Sequence, residues 1–248
     1  MRVEPDSMLR VAVSEATALS PGGDVDSATV RPRISEAYDA PLSDGSLALA
    51  VTAPDFVRID WKSGGETAFT SYAEVVSRHY FGLDALKGYG DGQDDFGSMP
   101  EEALFMARQA ATEVFERNAR RSFVHRIGRT KDYGRALLLE LEHNDVYELL
   151  TEGYRLVSGC QCEGGCGPFP CWVEYLYGQD FVPVQVSRAV LELAAYMLRP
   201  SNRPIGATGE SSDAGYIHFT TAGQDGATDI PEVNAAIEQF GAGVRYVW

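Results

Sequence analysis

From the first residue to about residue 70, apolar positions come in short alternating runs, the period of half-buried strands. Leu9–Val13, Leu47–Val51 and Phe56–Trp61 are the clearest of them. Turn formers separate the runs: Ser20-Pro21-Gly22-Gly23-Asp24, Pro41-Leu42-Ser43-Asp44-Gly45 and Ser63-Gly64-Gly65. The pattern predicts a β-rich N-terminal region over 1–90. From Ser71 to Leu83 the spacing lengthens, with Tyr72, Val75, Val76, His79 and Tyr80 three and four apart, which predicts a short helix. The Gly/Asp-rich run Lys87–Gly97 then reads as a connector and as a domain boundary.

A long helix is predicted next, from Met99 to Arg121. Ser98-Met99-Pro100-Glu101 has the form of a capping box, with Pro100 in the first turn where a missing N–H costs nothing. Leu104, Ala107, Ala111, Val114, Phe115 and Asn118 follow at helical spacing. Arg117, Arg120 and Arg121 close it, either as cations at the negative end of the helix dipole or as partners for an acidic neighbour.

Strand periods then return at Phe123–Arg129, Arg135–Leu141, Val146–Leu150, Tyr154–Ser158 and Trp172–Gly178, predicting a half-buried antiparallel set. A second helix is expected over Val184–Arg199, burying Val190, Leu193, Ala194 and Met197 and stopped by Pro200 and Pro204. Gly215–Thr220 reads as one more strand. Asp229-Ile230-Pro231-Glu232 repeats the capping device before a short helix with Val233, Ala236, Ile237 and Phe240 on one face. The end, Val244-Arg245-Tyr246-Val247-Trp248, is apolar and aromatic where chain ends are usually polar, so it is expected to dock on something. The fold class expected is α+β: two main helices and a short C-terminal helix framing antiparallel strands. Three stretches are anticipated, 1–90, 91–228 and a C-terminal assembly arm, 229–248.

Charge narrows the function classes. There are 21 basic against 36 acidic residues in 248, a net charge of −15. A surface that negative repels phosphate and argues against a protein held on nucleic acid by counterion release. No apolar run is long enough to span a bilayer, and no signal core follows Arg2, so cytoplasmic synthesis is expected. Catalytic constellations are missing as well. The histidines, His79, His125, His143 and His218, form no H-E-x-x-H pair, and neither a nucleophile elbow nor a phosphate-binding glycine loop is present. Acid pairs such as Asp94-Asp95 and Glu101-Glu102 lie in polar stretches, where solvation explains them. The expectation is therefore no catalysis, with no catalytic, cofactor-binding or metal residue assigned.

The cysteines are the one cluster of chemistry. Cys160, Cys162, Cys166 and Cys171 fall within twelve residues of a Gly/Pro-rich stretch. Four thiols suit a closed zinc site, but the C-x-C-x₃-C-x₄-C spacing is not that of a knuckle or ribbon. Zinc binding, disulfide formation and free thiols all remain open.

Several of these pieces together resemble a known family. The first helix ends in Arg121-Ser122-Phe123, and a strand pair leads to Tyr154-Arg155-Leu156-Val157. Val173-Glu174-Tyr175-Leu176-Tyr177-Gly178 then precedes a Pro-led, Ala/Leu-rich helix. The closing run Phe219-Thr220-Thr221-Ala222-Gly223-Gln224-Asp225-Gly226-Ala227-Thr228-Asp229-Ile230-Pro231-Glu232-Val233-Asn234 is the nearest match. From Met99 to Trp248 this order resembles the head-to-tail adaptor, or connector, proteins of long-tailed bacteriophages of actinobacteria. Residues 1–90 lie outside the resemblance, and the cysteine cluster is denser than the family pattern.

The resemblance implies a structural virion protein without catalysis. Copies, about twelve of them, would form a ring at the neck. A portal ring would sit above, and a head-completion or tail-terminator protein below. Genomic DNA would pass through the lumen unbound, with no membrane and no cofactor involved. The alternatives in view are another neck or tail ring component, or a small zinc-binding module built on the cysteine loop.

Overall fold

In the computed structural model the residues described are 1–15, 17–89, 96–135, 137–165, 170–199, 209–212, 215–218 and 228–241, with 209–212 and 215–218 described by backbone alone. The chain is α+β and divides into two compact units, each drawn from two separate stretches. Unit 1 comprises 1–79 and 121–182, and unit 2 comprises 80–120 and 183–248.

Unit 1 holds most of the strands. Those before residue 80 are β1 (Arg2–Val3), β2 (Met8–Ala12), β3 (Ala18–Pro21), β4 (Ser27–Pro32), β5 (Tyr38–Pro41), β6 (Leu47–Ala48), β7 (Asp55–Ser63) and β8 (Glu66–Val76). Five of them make one sheet in the order β2-β8-β7-β4-β5, and β1-β3-β6 make a small second sheet. The hairpin β7–β8 sets the register, with Ser63 opposite Glu66 and only Gly64-Gly65 between them. Both glycines have positive φ, 58° and 90°, the conformation a two-residue hairpin loop requires. Inward positions then alternate: Val57, Ile59 and Trp61 on β7 face Ser71, Ala73 and Val75 on β8 in the core. The indole of Trp61 donates to Ser71 Oγ at 2.8 Å, so the buried N–H is satisfied.

The helix expected over Ser71–Leu83 is not formed. Ser71–Val76 is the second half of β8, and the only helical turn nearby is α1 (Leu83–Lys87) in unit 2. The reason lies in burial. At its C-terminal end β8 is covered on both faces, with Ala73, Glu74, Val75 and Val76 all buried, so the two-residue period disappears. Tyr72, Val75 and Val76 are also residue types that strands favour. Not all pairing is antiparallel either: β2 runs parallel to β8, and β1 parallel to β3.

The later strands of unit 1 are β9 (Arg126–Asp132), β10 (Leu138–Glu140), β11 (Val146–Leu149), β12 (Tyr154–Ser158), β13 (Gln161–Gly164) and β14 (Cys171–Tyr177). They make two antiparallel sheets, β11-β14-β9 and β10-β13-β12. Their shared core is Leu141, Val146, Cys162, Val173, Tyr175 and Tyr177. The segment expected to be a loop through the cysteines therefore contains a strand, β13, whose Cys162 faces inward.

Unit 2 is built on helices. After α1, a 3-10 turn at Phe96–Ser98 anchors the buried Phe96, and α2 runs from Glu101 to Ala119. Next come α3 (Val184–Leu198), a hairpin of β15 (Gly209–Ser212) and β16 (Gly215–His218), and α4 (Pro231–Phe240). Helix α2 buries Leu104, Phe105, Ala107, Ala111, Phe115 and Ala119. Val114, expected in that core, is half-buried, and Asn118 is exposed. The capping box at Ser98 is not formed: Pro100 is the N-cap, without a side-chain cap bond. At the other end Arg120 takes a left-handed conformation, φ 52°, in the C-cap position.

Helix α3 buries Val190, Leu193 and Ala194 as expected, together with Val186, Ala189 and Ala195. Met197, expected beside them, is 41 % exposed. Helix α4 has Ile230 as its N-cap and no side-chain cap bond there, so the Asp229–Glu232 box is also absent. In its place Thr228 and Asn234 exchange hydrogen bonds: Thr228 N–H donates to Asn234 Oδ1, and Asn234 Nδ2 donates to the Thr228 carbonyl, both at 2.8 Å. Val233 and Ala236 are buried as α4 packs on α2 and α3. The helical part of the expected C-terminal arm thus packs within its own unit. The connector core 90–95, Cys166, Pro200 and Pro204, Phe219–Ala227 and the end Val244–Trp248 lie outside the described residues.

Candidate functional site

The histidines end up in separate places. His79 Nε2 lies 3.7 Å from a carboxylate oxygen of Glu15, and His125 Nε2 lies 3.0 Å from Asp180 while its ring packs on Tyr147. His143 is stacked on Tyr177, ring centroids 4.0 Å apart, and its Nδ1 is 2.9 Å from the Tyr175 hydroxyl. The side chain of His218 is not among those described.

Tyr175 is the hub of the β9-β14 core. Its hydroxyl lies 3.1 Å from Thr130 Oγ1, and burial pushes the phenol above its ordinary value despite that bond. The ring fits because β9 carries Gly128 directly opposite: a Cβ there would stand 2.5 Å from the ring and 3.0 Å from His143 Nδ1. A tyrosine hydroxyl held between a threonine and a histidine, with the strand closed over it, satisfies buried polar groups.

A second polar group in unit 1 is ionic. Glu74, on the fully covered end of β8, receives Arg10 Nε at 2.9 Å and Arg126 Nε at 2.5 Å. Burial pushes its carboxyl up, but the two guanidiniums outweigh that and hold it below its ordinary value. Arg121, one of the three cations expected near the end of the first long helix, makes a two-pronged contact with Asp145, at 2.7 and 3.0 Å. An acidic partner within the chain is thus the outcome for Arg121.

The cysteines divide by state. Cys160 and Cys162 are free, whereas Cys171 is disulfide-bonded. With Cys171 committed to a disulfide, the four-thiolate zinc set cannot assemble. Burial, and then the charge of Asp132, pushes the Cys162 thiol up to about 11, which keeps it protonated and a poor nucleophile. Among the described residues no three His, Cys, Asp or Glu side chains are grouped to hold a metal ion. No described helix is long and apolar enough to cross a membrane.

Two surface features remain. A cavity of about 470 Å³ lies beside β2 and β6, lined mainly by Val11, Val13, Ala18, Leu49, Val51 and Val75 with Glu15 at its polar side. The other is a strip that sequence reading missed. On the outer face of β9 and the residues after it, Arg129, Lys131, Tyr133 and Arg135 occupy alternate positions, and β14 adds Trp172 opposite Lys131. Arg129 lies over the Trp172 ring at 4.3 Å, Lys131 at 5.7 Å from the same ring, and Lys131 and Arg135 over Tyr133 at 5.2 and 5.7 Å. The every-second-residue spacing of 129, 131, 133 and 135 was the available signal.

No protein-family profile matches the chain, and no curated protein matches it. Among solved structures, it is similar to a chain in the neck of an empty gene transfer agent particle, 18 % identical over 66 % of this chain and 91 % of that one, with a TM-score of 0.41. It is also similar to a chain in the virion of a native gene transfer agent particle, 20 % identical over 65 % of this chain and 88 % of that one, again at a TM-score of 0.41.

Proposed function

We propose that this chain is a structural protein of the neck of a phage-like particle, and more finely a head-to-tail adaptor without catalysis of its own. The observation that carries the reading is the ordered set of motifs from Met99 to Asn234: the helix ending in Arg121-Ser122-Phe123, the strands of 154–157 and 173–178, the Pro-led helix, and the closing run 219–234. In this reading about twelve copies form a ring beneath the portal, with a head-completion or tail-terminator protein below. Charge fits the same role. A ring of about twelve copies at −15 each carries about −180, and an acidic lumen lets DNA pass without holding it. The apolar end Tyr246-Val247-Trp248 docks on the portal ring or on a neighbouring copy. Electron microscopy of particles made with and without the gene tests the assignment. Loss of a neck ring and of tail attachment supports it, whereas complete, tailed particles lacking the protein overturn it. The isolated protein should leave duplex DNA unretarded at about 150 mM salt, where acidic surfaces find no phosphate partner.

A further inference from the structure

We propose that the outer face of β9 and β14 is the basic half of a head-to-tail contact between copies of this chain, receiving carboxylates of the neighbouring copy. Arg129, Lys131 and Arg135 make no ion pair among the described residues, in a chain whose acids exceed its bases by fifteen. The other two lysines do have acids at hand: Lys62 lies 3.0 Å from Asp39, and Lys87 lies 3.7 Å from Asp84. The strip's cations are instead poised on ring faces, which orients them while leaving their hydrogen-bond donors open. Those rings are themselves exposed, Tyr133 at 56 % and Trp172 at 45 %. Trp, Tyr and Arg side by side form the composition that concentrates binding energy in protein interfaces.

Two features choose the occupant. A phosphate backbone is disfavoured by the acidity of the whole chain; Glu174, in register with Arg129, is already paired with Arg33 at 3.3 Å. A mixed surface of carboxylates and apolar groups suits the strip better, and each copy of this chain carries 36 acidic side chains. Like charges do not lie across from one another, so the strip meets a different, acidic face of the next copy. Head-to-tail contacts close into rings or run on as filaments. Head-to-tail polarity and closure into a ring rest on the neck reading; the surface of the contact stands on the strip itself.

Carbodiimide coupling tests it, because Lys131 is one of only three lysines. An equal mixture of ¹⁴N and ¹⁵N full-length protein, concentrated until it self-associates, is coupled and its cross-linked peptides are read by mass spectrometry. Mixed-isotope links from Lys131 to carboxylates are expected, with Lys62 and Lys87 linking mainly within one copy. Arg129→Glu combined with Lys131→Glu should weaken association about tenfold or more by sedimentation, with an unchanged circular dichroism spectrum. Added salt should weaken the native protein in the same direction. Absence of mixed-isotope links at Lys131, association of the variant as strong as native, or a monomer at every concentration overturns the proposal. So does native protein that retards DNA through this strip. Particles with an intact neck ring but no Lys131 links between copies would remove this contact and leave the neck assignment standing. Particles complete without the protein would remove the neck assignment while the links still judge the contact.

Discussion

Glu74 shows how one residue ties separate segments of unit 1 together. Its carboxylate is buried and held by Arg10 from β2 and Arg126 from β9, so three strands meet at one charge. Replacing it with Gln leaves two guanidiniums facing a neutral amide in a buried place, and Glu74→Gln should cost about 3 kcal/mol in urea unfolding. Because the folded carboxyl sits below its ordinary value of 4.5, its stabilisation is complete above that pH. It is lost as pH falls through the depressed folded value. The native protein should therefore lose more stability than the Gln variant on acidification below about pH 4.5, a difference read by parallel melts. Gly128 is the steric counterpart. A methyl there enters the space of the buried Tyr175 ring, so Gly128→Ala should cost about 1–3 kcal/mol, measured the same way, with the His143 contact disturbed.

Among the elements, α3 gives the sharpest contrast between pattern and packing. Leu193 and Met197 stand four apart and were expected in one core, yet Leu193 is 4 % exposed and Met197 41 %. Leu193→Ala should cost about 2–5 kcal/mol, while Met197→Ala should cost less than about 0.5 kcal/mol, both by chemical denaturation. Equal losses would mean that the last turn of α3 packs differently. Helix α4 makes a related point about capping. The sequence offered Asp229 and Glu232 as a box, but the helix starts one residue later, with Ile230 as its N-cap, and Thr228 and Asn234 make the reciprocal bonds.

At the scale of the whole molecule, α4 decides where an assembly arm can begin. Its Val233 and Ala236 are buried against α2 and α3. A chain ending at Asp229 should therefore melt at a lower temperature, because α2 and α3 lose their cover. A chain ending at Gly241 keeps α4 and should melt as the full chain does, yet enter particles poorly if Tyr246-Val247-Trp248 is the docking end. Calorimetry of the two truncations, paired with incorporation into particles, separates the contribution of α4 to folding from that of the tail to assembly.

Local chemistry made several parts legible in advance. The periods of α2, α3 and α4 and the Gly-Gly turn of β7–β8 depend on neighbours within a few positions, so the sequence alone determined them along with the α+β class and the acidic charge. Burial on both faces of β8, the inward turn of Cys162 in β13 and the partners of Glu74 depend on segments far away in the chain. Only the tertiary structure decided those. The same holds for the basic strip, where Trp172 reaches Arg129 and Lys131 through cross-strand register. A strand's neighbours are chosen by pairing across the sheet, and no period within the strand encodes which residues those will be.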